Sequence, residues 1–489
     1  MNPIYIIALI TVYFAVLFSI SYFTSKNSDD DSFYTGNKQS PWYLVAFGMI
    51  GASLSGVTFI SIPGTVAGSS FGYMQMVLGY LVGYAIIALV LMPLYYRLQL
   101  TSIYSFLEER FGRNTQLIGA GFFLLSRVIG ASLRMYLVVL VLQHFVFEPM
   151  GVHYSITIFI SLALIWVYTF KSGMKTIVWT DSLQTFFMLM SLCISIYMIG
   201  DSFDWSFFES VSEVTKSSYS KVFFFDDILG KGHFLKQFFG GAIIAVAMTG
   251  LDQDMMQKNL TCPNIKDAQK NVFGFSIVLV LVNFLFLVLG ALLFIYSDAN
   301  NIPIPTRMVD GVEKVATDLL FPVLAIEHLG AFCGITFLIG LIAAAYSSAD
   351  SALTALTTSF CFDFLKLDKK KGNYPKGMRN YVHVGFTVVL FIVIVLFYRS
   401  NDTSTINKLF TWAGYTYGPL LGLFFFGIIS KAKPKDSLVP IVCIVAPVLS
   451  YVLDQNSVVW FGGYQFGFEL LLVNGVLTYM GLGLIKSEV

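Results

Sequence analysis

Three hydroxyls and one carboxylate lie within five positions of an apolar segment near residue 350. Ser347, Ser348, Asp350 and Ser351 occupy about one turn of a helix. Hard oxygen ligands without sulfur or imidazole suit Na⁺ better than a transition metal. A single helical serine is more simply explained by a bond from its hydroxyl to a carbonyl of the preceding turn. Four oxygen-bearing side chains together favour a sodium site.

A second segment, residues 48–59, can supply backbone oxygens to the same ion. Its sequence is GMIGASLSGVTF, in which glycines and serines interrupt an apolar run. Glycine and serine weaken a regular helix and free backbone carbonyls, which need another partner where no water is present. We therefore expect the carbonyls of Gly51 and Leu54, together with that of Ala344, to complete the site.

Asp181 is another candidate cation ligand, in the stretch TIVWTDSLQTFF. A carboxylate at membrane depth is costly and by default marks an ion or proton path. The alternative is an N-cap formed with Thr180 beside the membrane surface. Asp350 has an alternative as well, because it can pair with a basic side chain instead of a cation.

Arg127 and Arg134 are the other costly residues of the apolar segments. They stand seven positions apart and therefore share one face of a helix. Because a guanidinium matches a carboxylate with two parallel hydrogen bonds, one of the two could hold an anionic substrate. The alternatives are a salt bridge to Asp252 or Asp254, or snorkelling toward the membrane interface. The spacing does not choose between the two arginines.

The composition indicates that these residues lie in a membrane protein. Of 489 residues, 56% are hydrophobic and 12% are charged, whereas soluble proteins average about 25% charged residues. Apolar segments of about 20 residues, long enough to cross the hydrocarbon core, recur along the chain. We number them spans 1 to 13. They cover roughly 3–24, 42–67, 72–97, 116–147, 154–170, 176–199, 235–258, 272–297, 331–360, 380–398, 406–431, 436–454 and 465–485.

Spans 2 and 7 both show signs of a broken helix. In span 7, Gly240 and Gly241 precede the stretch MTGLDQDMMQK, which ends at Lys258. Close helix packing is the alternative explanation of either glycine cluster. Two interrupted spans five apart indicate inverted repeats, here 42–199 and 235–431, with an extra N-terminal helix at 3–24 and two C-terminal helices in 436–485. The sequence therefore predicts an all-α polytopic membrane protein, with residues 1–489 forming a single transporter domain around a five-plus-five inverted-repeat (LeuT-type) core.

The charges of the loops indicate orientation. Lysine and arginine concentrate in one set of loops, including Lys258 at the end of span 7 and the lysine-rich linker 364–379, whereas the opposite loops are richer in acid. Because basic loops stay in the cytoplasm, we expect the N-terminus outside and the C-terminus inside. One outer loop, 298–330, carries Val312, Val315 and Leu319 at helical spacing and is expected to form a short amphipathic element.

Several classes of function find no support in the residues. The net charge of +1 argues against binding of nucleic acid, and the five histidines have no metal-ligand spacing. The five cysteines imply no disulfide framework, and no nucleophile–base pair or phosphate loop indicates an enzyme. A channel would need pore-lining elements repeated in several subunits. We expect the lipid bilayer and a small solute as partners, and no obligate protein partner.

At this point the motifs resemble those of the sodium/solute symporter family, whose members carry sugars, proline, pantothenate, iodide, monocarboxylates and sialic acid. The resemblance covers nearly the whole chain, with the motifs in the expected order. They are SLSG at 53–56, VWTD before span 6, LDQDMMQ and the later DAQK of span 7, AAYSSADS in span 9 and GYTYGPLLGLFFFG at 414–427.

The resemblance implies two sodium sites halfway across the membrane. The first consists of the carbonyls of Gly51, Leu54 and Ala344 and the hydroxyls of Ser347 and Ser348. The second, found in members that resemble the sialic acid symporters, falls on Asp181, Ser347, Asp350 and Ser351. This chain has Asp350 where a hydroxyl is usual, so this carboxylate either strengthens cation binding or forms an ion pair.

The resemblance also implies a substrate pocket of hydroxyls, an amide, an aromatic ring and an arginine. It consists of Ser53, Ser55, Thr58, Phe71, Gln75 and Arg127 or Arg134, with Asp252 where some members have asparagine. Such a pocket suits a polyhydroxylated acid. We therefore expect a sodium-coupled symporter in a plasma membrane, as in the bacterial inner membrane, that imports sialic acid or a related sugar acid by alternating access. A neutral sugar, polyol, amino acid or monocarboxylate is the alternative solute, and an uncoupled channel or sensor is the alternative class.

Overall fold

The apolar segments fold into helices because a helix satisfies its own backbone hydrogen bonds in lipid. The computed structural model describes residues 3–26, 29–171, 173–309, 312–367, 377–400 and 405–486. The helices that form the spans are Pro3–Thr24, Trp42–Ser53, Gly56–Ser69, Tyr73–Ile86, Arg113–Leu142, Tyr154–Thr169, Met174–Asp201, Phe234–Ala245, the short Gln253–Asn259, Ile265–Ala299, Gly330–Ser359, Met378–Ser400, Thr405–Ile429, Val439–Trp460 and Leu470–Leu484. Single wide turns extend four of them, at Ile87–Leu91, Gln143–Phe147, Val246–Gly250 and Phe360–Phe364, and the first of these leads on into Met92–Arg97.

These helices occur where the sequence predicts spans. Eight helices of the described residues are long and apolar enough to cross a membrane, two bent pairs add two more, and Tyr154–Thr169, Tyr415–Ile429 and Leu470–Leu484 are shorter apolar helices. The all-α polytopic class is thereby confirmed, and the count of thirteen spans stays a prediction.

Span 2 is broken, as predicted. Its halves, Trp42–Ser53 and Gly56–Ser69, meet at a bend of 57°. Leu54 and Ser55 leave the helical conformation there. Gly56 lies so close to span 4 that an added Cβ would be 2.7 Å from Val138 Cγ2. The lack of a side chain at Gly56 therefore lets the broken segment pack against its neighbour.

Span 7 is broken at Leu251 and Asp252, where Phe234–Gly250 and Gln253–Asn259 form an angle of 72°. The carbonyls freed by the break are satisfied by tyrosines. Tyr95 donates its hydroxyl to the Gly250 carbonyl at 2.8 Å, and Tyr104 donates to the Leu251 carbonyl at 3.0 Å. Asp252 caps the second half by accepting a bond from the Asp254 amide at 2.9 Å. The bend turns the end of span 7 toward the interior of the bundle.

Spans 2, 6 and 9 pack against one another and bring the predicted ion ligands together. Met174–Asp201 of span 6 contacts both Gly330–Ser359 of span 9 and the first half of span 2. At the crossing of spans 2 and 6, the Gly51 amide donates to Thr185 Oγ1 at 3.1 Å. Span 4 packs against spans 9, 10 and 11.

The outer loop 298–330 differs from the amphipathic helix that its spacing predicts. Thr306–Val309 and Val312–Val315 form a two-stranded antiparallel hairpin instead, followed by the short helical segments Thr317–Leu319, Leu320–Val323 and Leu324–His328. Threonine and valine are enriched in strands, which explains the difference. The other short helices are Asp30–Thr35, Gly36–Lys38, Ser105–Arg110, Glu148–Met150, Phe207–Lys216 and Ser218–Ser220. Most of the lysine-rich linker, residues 368–376, lies outside the described residues.

Candidate ion and substrate site

A cavity of about 830 Å³, counting the part open to solvent, lies beside the break of span 2. Ser53, Ser55 and Thr58 line it, as the resemblance implies, and so do Arg127 and Arg134 of span 4. The remaining lining residues are Ala52, Leu54, Ile62, Tyr73, Tyr80, Tyr84, Ile244, Ala245, Met248, Thr249, Met255, Leu279 and Asn283. The cavity combines apolar walls with hydroxyls and positive charge, as small-molecule sites do.

Phe71 and Gln75 lie outside this cavity. Gln75 is buried and its amide nitrogen donates to the carbonyls of Gly72 at 3.2 Å and Gly232 at 3.1 Å. Its amide oxygen accepts a bond from the Phe224 amide at 3.0 Å. The Gln75 side chain therefore stabilises the loop that contains Phe224 and Gly232. The role of Phe71 and Gln75 in solute binding stays a prediction.

Arg127 is neutralised by the broken span 7. Its Nη1 lies 3.7 Å from Asp252 Oδ2, its Nη2 contacts Asp254 Oδ2, and the three side chains are at most 6% exposed. Tyr417 of span 11 also donates its hydroxyl to Asp252 Oδ2. The contacts correspond to the salt-bridge alternative, and they give Arg127 and Asp252 structural partners of their own.

Arg134 differs from Arg127 in having no carboxylate partner within ion-pair distance in the described part of the chain. Its Nε is buried and makes no hydrogen bond to these residues. A guanidinium that lines a cavity and lacks a counter-charge is the arrangement that a bound carboxylate completes. The geometry therefore separates two arginines that the sequence treats alike.

Asn283 of span 8 is a polar residue of the cavity that the sequence analysis overlooks. Its Nδ2 donates to the Leu279 carbonyl at 2.8 Å, whereas its Oδ1 is buried and accepts no bond from the described residues. A solute hydroxyl can donate to this oxygen. The signal in the sequence is a single asparagine within a long apolar helix, since polar residues at membrane depth tend to be functional.

Several of the oxygens predicted for the first sodium site lie at the break of span 2 and on the facing turn of span 9, and their role as ion ligands stays a prediction. The carbonyls of Gly51 and Leu54 accept no backbone hydrogen bond among the residues described. Ser348 Oγ lies between the two helices, 3.5 Å from the Ala52 carbonyl and 3.3 Å from the Ala344 carbonyl. These distances are at the long end for hydrogen bonds. A desolvated Na⁺ fits this set of oxygens, because it would satisfy carbonyls that the helix break leaves without donors.

Ser347 faces the neighbouring carboxylate cluster. Its hydroxyl donates to Asp181 Oδ1 at 2.7 Å, and Ser351 Oγ lies 3.4 Å from Asp181 Oδ2 and 3.2 Å from Asp350 Oδ1. Tyr168 of span 5 donates to Asp350 Oδ2 at 2.8 Å. The structure thus brings together the four residues of the implied second site, and all of them are buried.

Lys258 enters the same cluster, although its position at the end of span 7 indicates a cytoplasmic loop lysine. Its Nζ lies 2.7 Å from Asp181 Oδ2, and its side chain is 2% exposed. The bend of span 7 is the physical reason, because it directs the last turn inward. Asp181 has an ion-pair partner as a result, and the N-cap alternative is wrong since Asp181 lies inside the helix Met174–Asp201.

No group of three or more His, Cys, Asp or Glu side chains that could hold a metal ion is found within the described ranges. The donor atoms of the site are carbonyl, hydroxyl and carboxylate oxygens, with His and Cys absent from the cavity lining. These are the ligands that hard cations prefer.

Comparisons with known proteins agree with this architecture. The structure of a Na⁺-coupled sialic acid symporter in a substrate-bound, outward-open state superposes with a TM-score of 0.81 over 99% of both chains, at 20% identity. The chain is 24% identical to the sodium/sialic acid symporter NanT of Aliivibrio fischeri, over 94% of this chain and 89% of that one. It is 22% identical to the sodium/sialic acid symporter SiaT of Proteus mirabilis, over 89% and 87%.

The structural likeness confirms the five-plus-five inverted-repeat class and a multi-pass membrane protein. At these identities it concerns the fold. Family membership rests on the match of residues 33–433 to the model of the sodium:solute symporter family. The chain therefore belongs to the sodium:solute symporter family and is a sodium-coupled symporter.

Proposed function

We propose that the solute is an anionic sugar such as sialic acid and that Arg134 binds its carboxylate. The observation that carries the proposal is the guanidinium of Arg134, which lines the cavity without a carboxylate partner among the residues described. Arg127 already has two acidic partners. A second anion there would compete with Asp252 and Asp254, whereas Arg134 has no acidic partner within ion-pair distance among the described residues.

The other polar groups of the cavity suit the hydroxyls of a sugar. Ser53, Ser55 and Thr58 can donate or accept, and Asn283 Oδ1 accepts. The tyrosines of span 3 add apolar surface, and the hydroxyls of Tyr73 and Tyr80 lie 3.3 Å apart. The two relatives named above, both symporters of sialic acid, support the same class of solute.

Sodium binding and solute binding would be coupled because the short segment at the break of span 2 takes part in both. The carbonyls of Gly51 and Leu54 are predicted ion ligands and accept no backbone hydrogen bond among the described residues, while Ser53, Ser55 and Thr58 of the same segment line the cavity. A sodium ion that joins this segment to Ser348 of span 9 would therefore order the solute contacts as well. Release of the ion on the inner side would loosen the same contacts, as alternating access requires.

The setting of the protein is also part of the proposal. We place it in the inner membrane of a bacterium, with the N-terminus outside and the C-terminus in the cytoplasm, because the sequence concentrates lysine and arginine in the loops that we assign to the cytoplasmic side. It acts as a carrier, without chemical conversion of the solute and without an obligate protein partner.

The proposal is tested with Arg134→Gln, using purified protein in the presence of sodium. Loss of one partner of a desolvated charge pair costs about 2–5 kcal/mol, so we expect affinity for sialic acid to fall on the order of 30-fold or more. N-acetylmannosamine, which lacks the carboxylate, serves as the neutral ligand and should bind both proteins alike.

Arg113→Gln is the matched control, since Arg113 is on the same helix but its guanidinium contacts Gln116 and the Phe364 carbonyl. It should leave sialic acid binding unchanged. Equal affinity of the Arg134→Gln variant and the wild type for sialic acid would contradict the proposal.

A further inference from the structure

A lysine ammonium lies inside the cluster of oxygens that the family resemblance assigns to a second sodium ion. Lys258 Nζ is 2.7 Å from Asp181 Oδ2. The same carboxylate accepts a hydrogen bond from Ser347 and has Ser351 at 3.4 Å. Lys258 also interacts electrostatically with the nearby Asp350. The chain's own positive charge is thus placed where a free cation would bind.

The fold holds this charge in place. Lys258 belongs to the short helix Gln253–Asn259, which begins after the bend of span 7 and packs against spans 2, 6 and 9. Asp252 caps the start of that helix, and the buried side chains of Asp181 and Lys258 are 1% and 2% exposed. Movement of Lys258 out of the cluster would leave the buried carboxylate of Asp181 without its counter-charge, which is costly where water is excluded.

We propose that the Lys258 ammonium takes the place of a second sodium ion, so that this symporter carries one sodium ion per transport cycle. Na⁺ and the ammonium cannot both contact Asp181 Oδ2 at close range, because like charges repel strongly where water is excluded. A cation tethered to the chain also outcompetes a free one through its high effective concentration.

The charges of the cluster agree with a single sodium ion. Asp181 and Asp350 together with Lys258 carry one net negative charge when all three are ionised. Ser347 donates to Asp181 and is also a predicted ligand of the first sodium site. With all three groups ionised, the remaining negative charge lies next to the first site and favours the one ion that binds there. Tyr168 and Ser351 donate hydrogen bonds to Asp350, and these bonds favour the ionised form of its carboxylate.

The inference deepens the proposed function but does not depend on the identity of the solute. Its test counts sodium ions bound to purified protein without any solute, by equilibrium binding of radioactive ²²Na⁺ at saturation. We expect one ion per wild-type protein. We expect two in Lys258→Gln, because this change leaves Asp181 free to bind the ion.

Lys236→Gln is the matched control. Lys236 is a mostly buried lysine with a distant acidic neighbour, Glu469 at 3.9 Å, and it should keep the count at one. If Lys258→Gln does not fold, Lys258→Gln/Asp350→Asn preserves the net charge of the cluster and should also bind two ions. Two ions bound to the wild type, or one bound to folded variants without Lys258, would overturn the inference. Failure of the sugar-acid proposal would leave these counts unchanged.

Discussion

Arg127→Gln would leave two buried carboxylates without their guanidinium, and we expect it to affect stability more than selectivity. Asp252 would keep the Tyr417 hydroxyl and the Asp254 amide as partners. The carboxylate of Asp254 has only Arg127 among the residues described. Most of the cost should therefore come from Asp254.

Removal of one partner of a buried ion pair costs about 3–5 kcal/mol. For a chain of this size we expect the apparent melting temperature to fall on the order of 5 °C. Arg127→Gln/Asp254→Asn should recover more than half of this loss, because the amide of asparagine carries no charge. Arg127→Gln/Asp252→Asn should recover less, since Asp252 has other donors.

The assay is thermal unfolding of detergent-purified protein, followed by size-exclusion chromatography, together with ligand binding for each variant. Arg134→Gln makes the same chemical change about two helical turns away and should lower the melting temperature far less while weakening acid binding. If Arg127→Gln has the melting temperature of the wild type but no longer binds the acid, this reasoning is refuted and Arg127 is identified as the solute ligand.

Two further predictions concern the ion. Ser348→Ala removes one hydroxyl oxygen that lies between spans 2 and 9. Because loss of an interaction with a charged partner costs about 1.5–3 kcal/mol, sodium affinity should fall on the order of tenfold or more. The control is Ser195→Ala, which removes a hydroxyl that donates to the Ser191 carbonyl within its own helix. Equal sodium affinity of the Ser348→Ala variant and the wild type would exclude Ser348 as a ligand. Cotransport of one sodium ion with one monovalent anion moves no net charge, so a potassium diffusion potential of about 100 mV should leave uptake into proteoliposomes nearly unchanged. Coupling to two ions would instead move one net charge, worth about 2.3 kcal/mol or on the order of 50-fold in accumulation, and that result would contradict single-ion coupling.

Much of the fold follows from local features of the chain. Apolar runs predict helices at the right places, because lipid requires long apolar segments that satisfy their own backbone. The breaks at Leu54 and Leu251 follow from glycine and polar residues within such runs. The hairpin of Thr306–Val309 and Val312–Val315 differs from the prediction because three residues at helical spacing in a short loop are a weak signal, and threonine and valine favour strands.

The oxygen-rich residues of the ion site could also be read from the sequence. Ser347, Ser348, Asp350 and Asp181 are conspicuous because polar groups are rare at membrane depth. Their meeting place could not be derived in the same way. It depends on how spans 2, 6 and 9 rotate and cross, and the family resemblance supplied that expectation.

The amino-acid sequence by itself determined which residues must avoid lipid and where helices must bend, since both depend on the chemistry of neighbouring residues. The tertiary structure alone decided which charges meet. Arg127 faces Asp254 while Arg134 faces the cavity, and Lys258 pairs with Asp181 rather than with water. Electrostatic energy depends on distance through space and on exclusion of water, and helix packing sets both quantities.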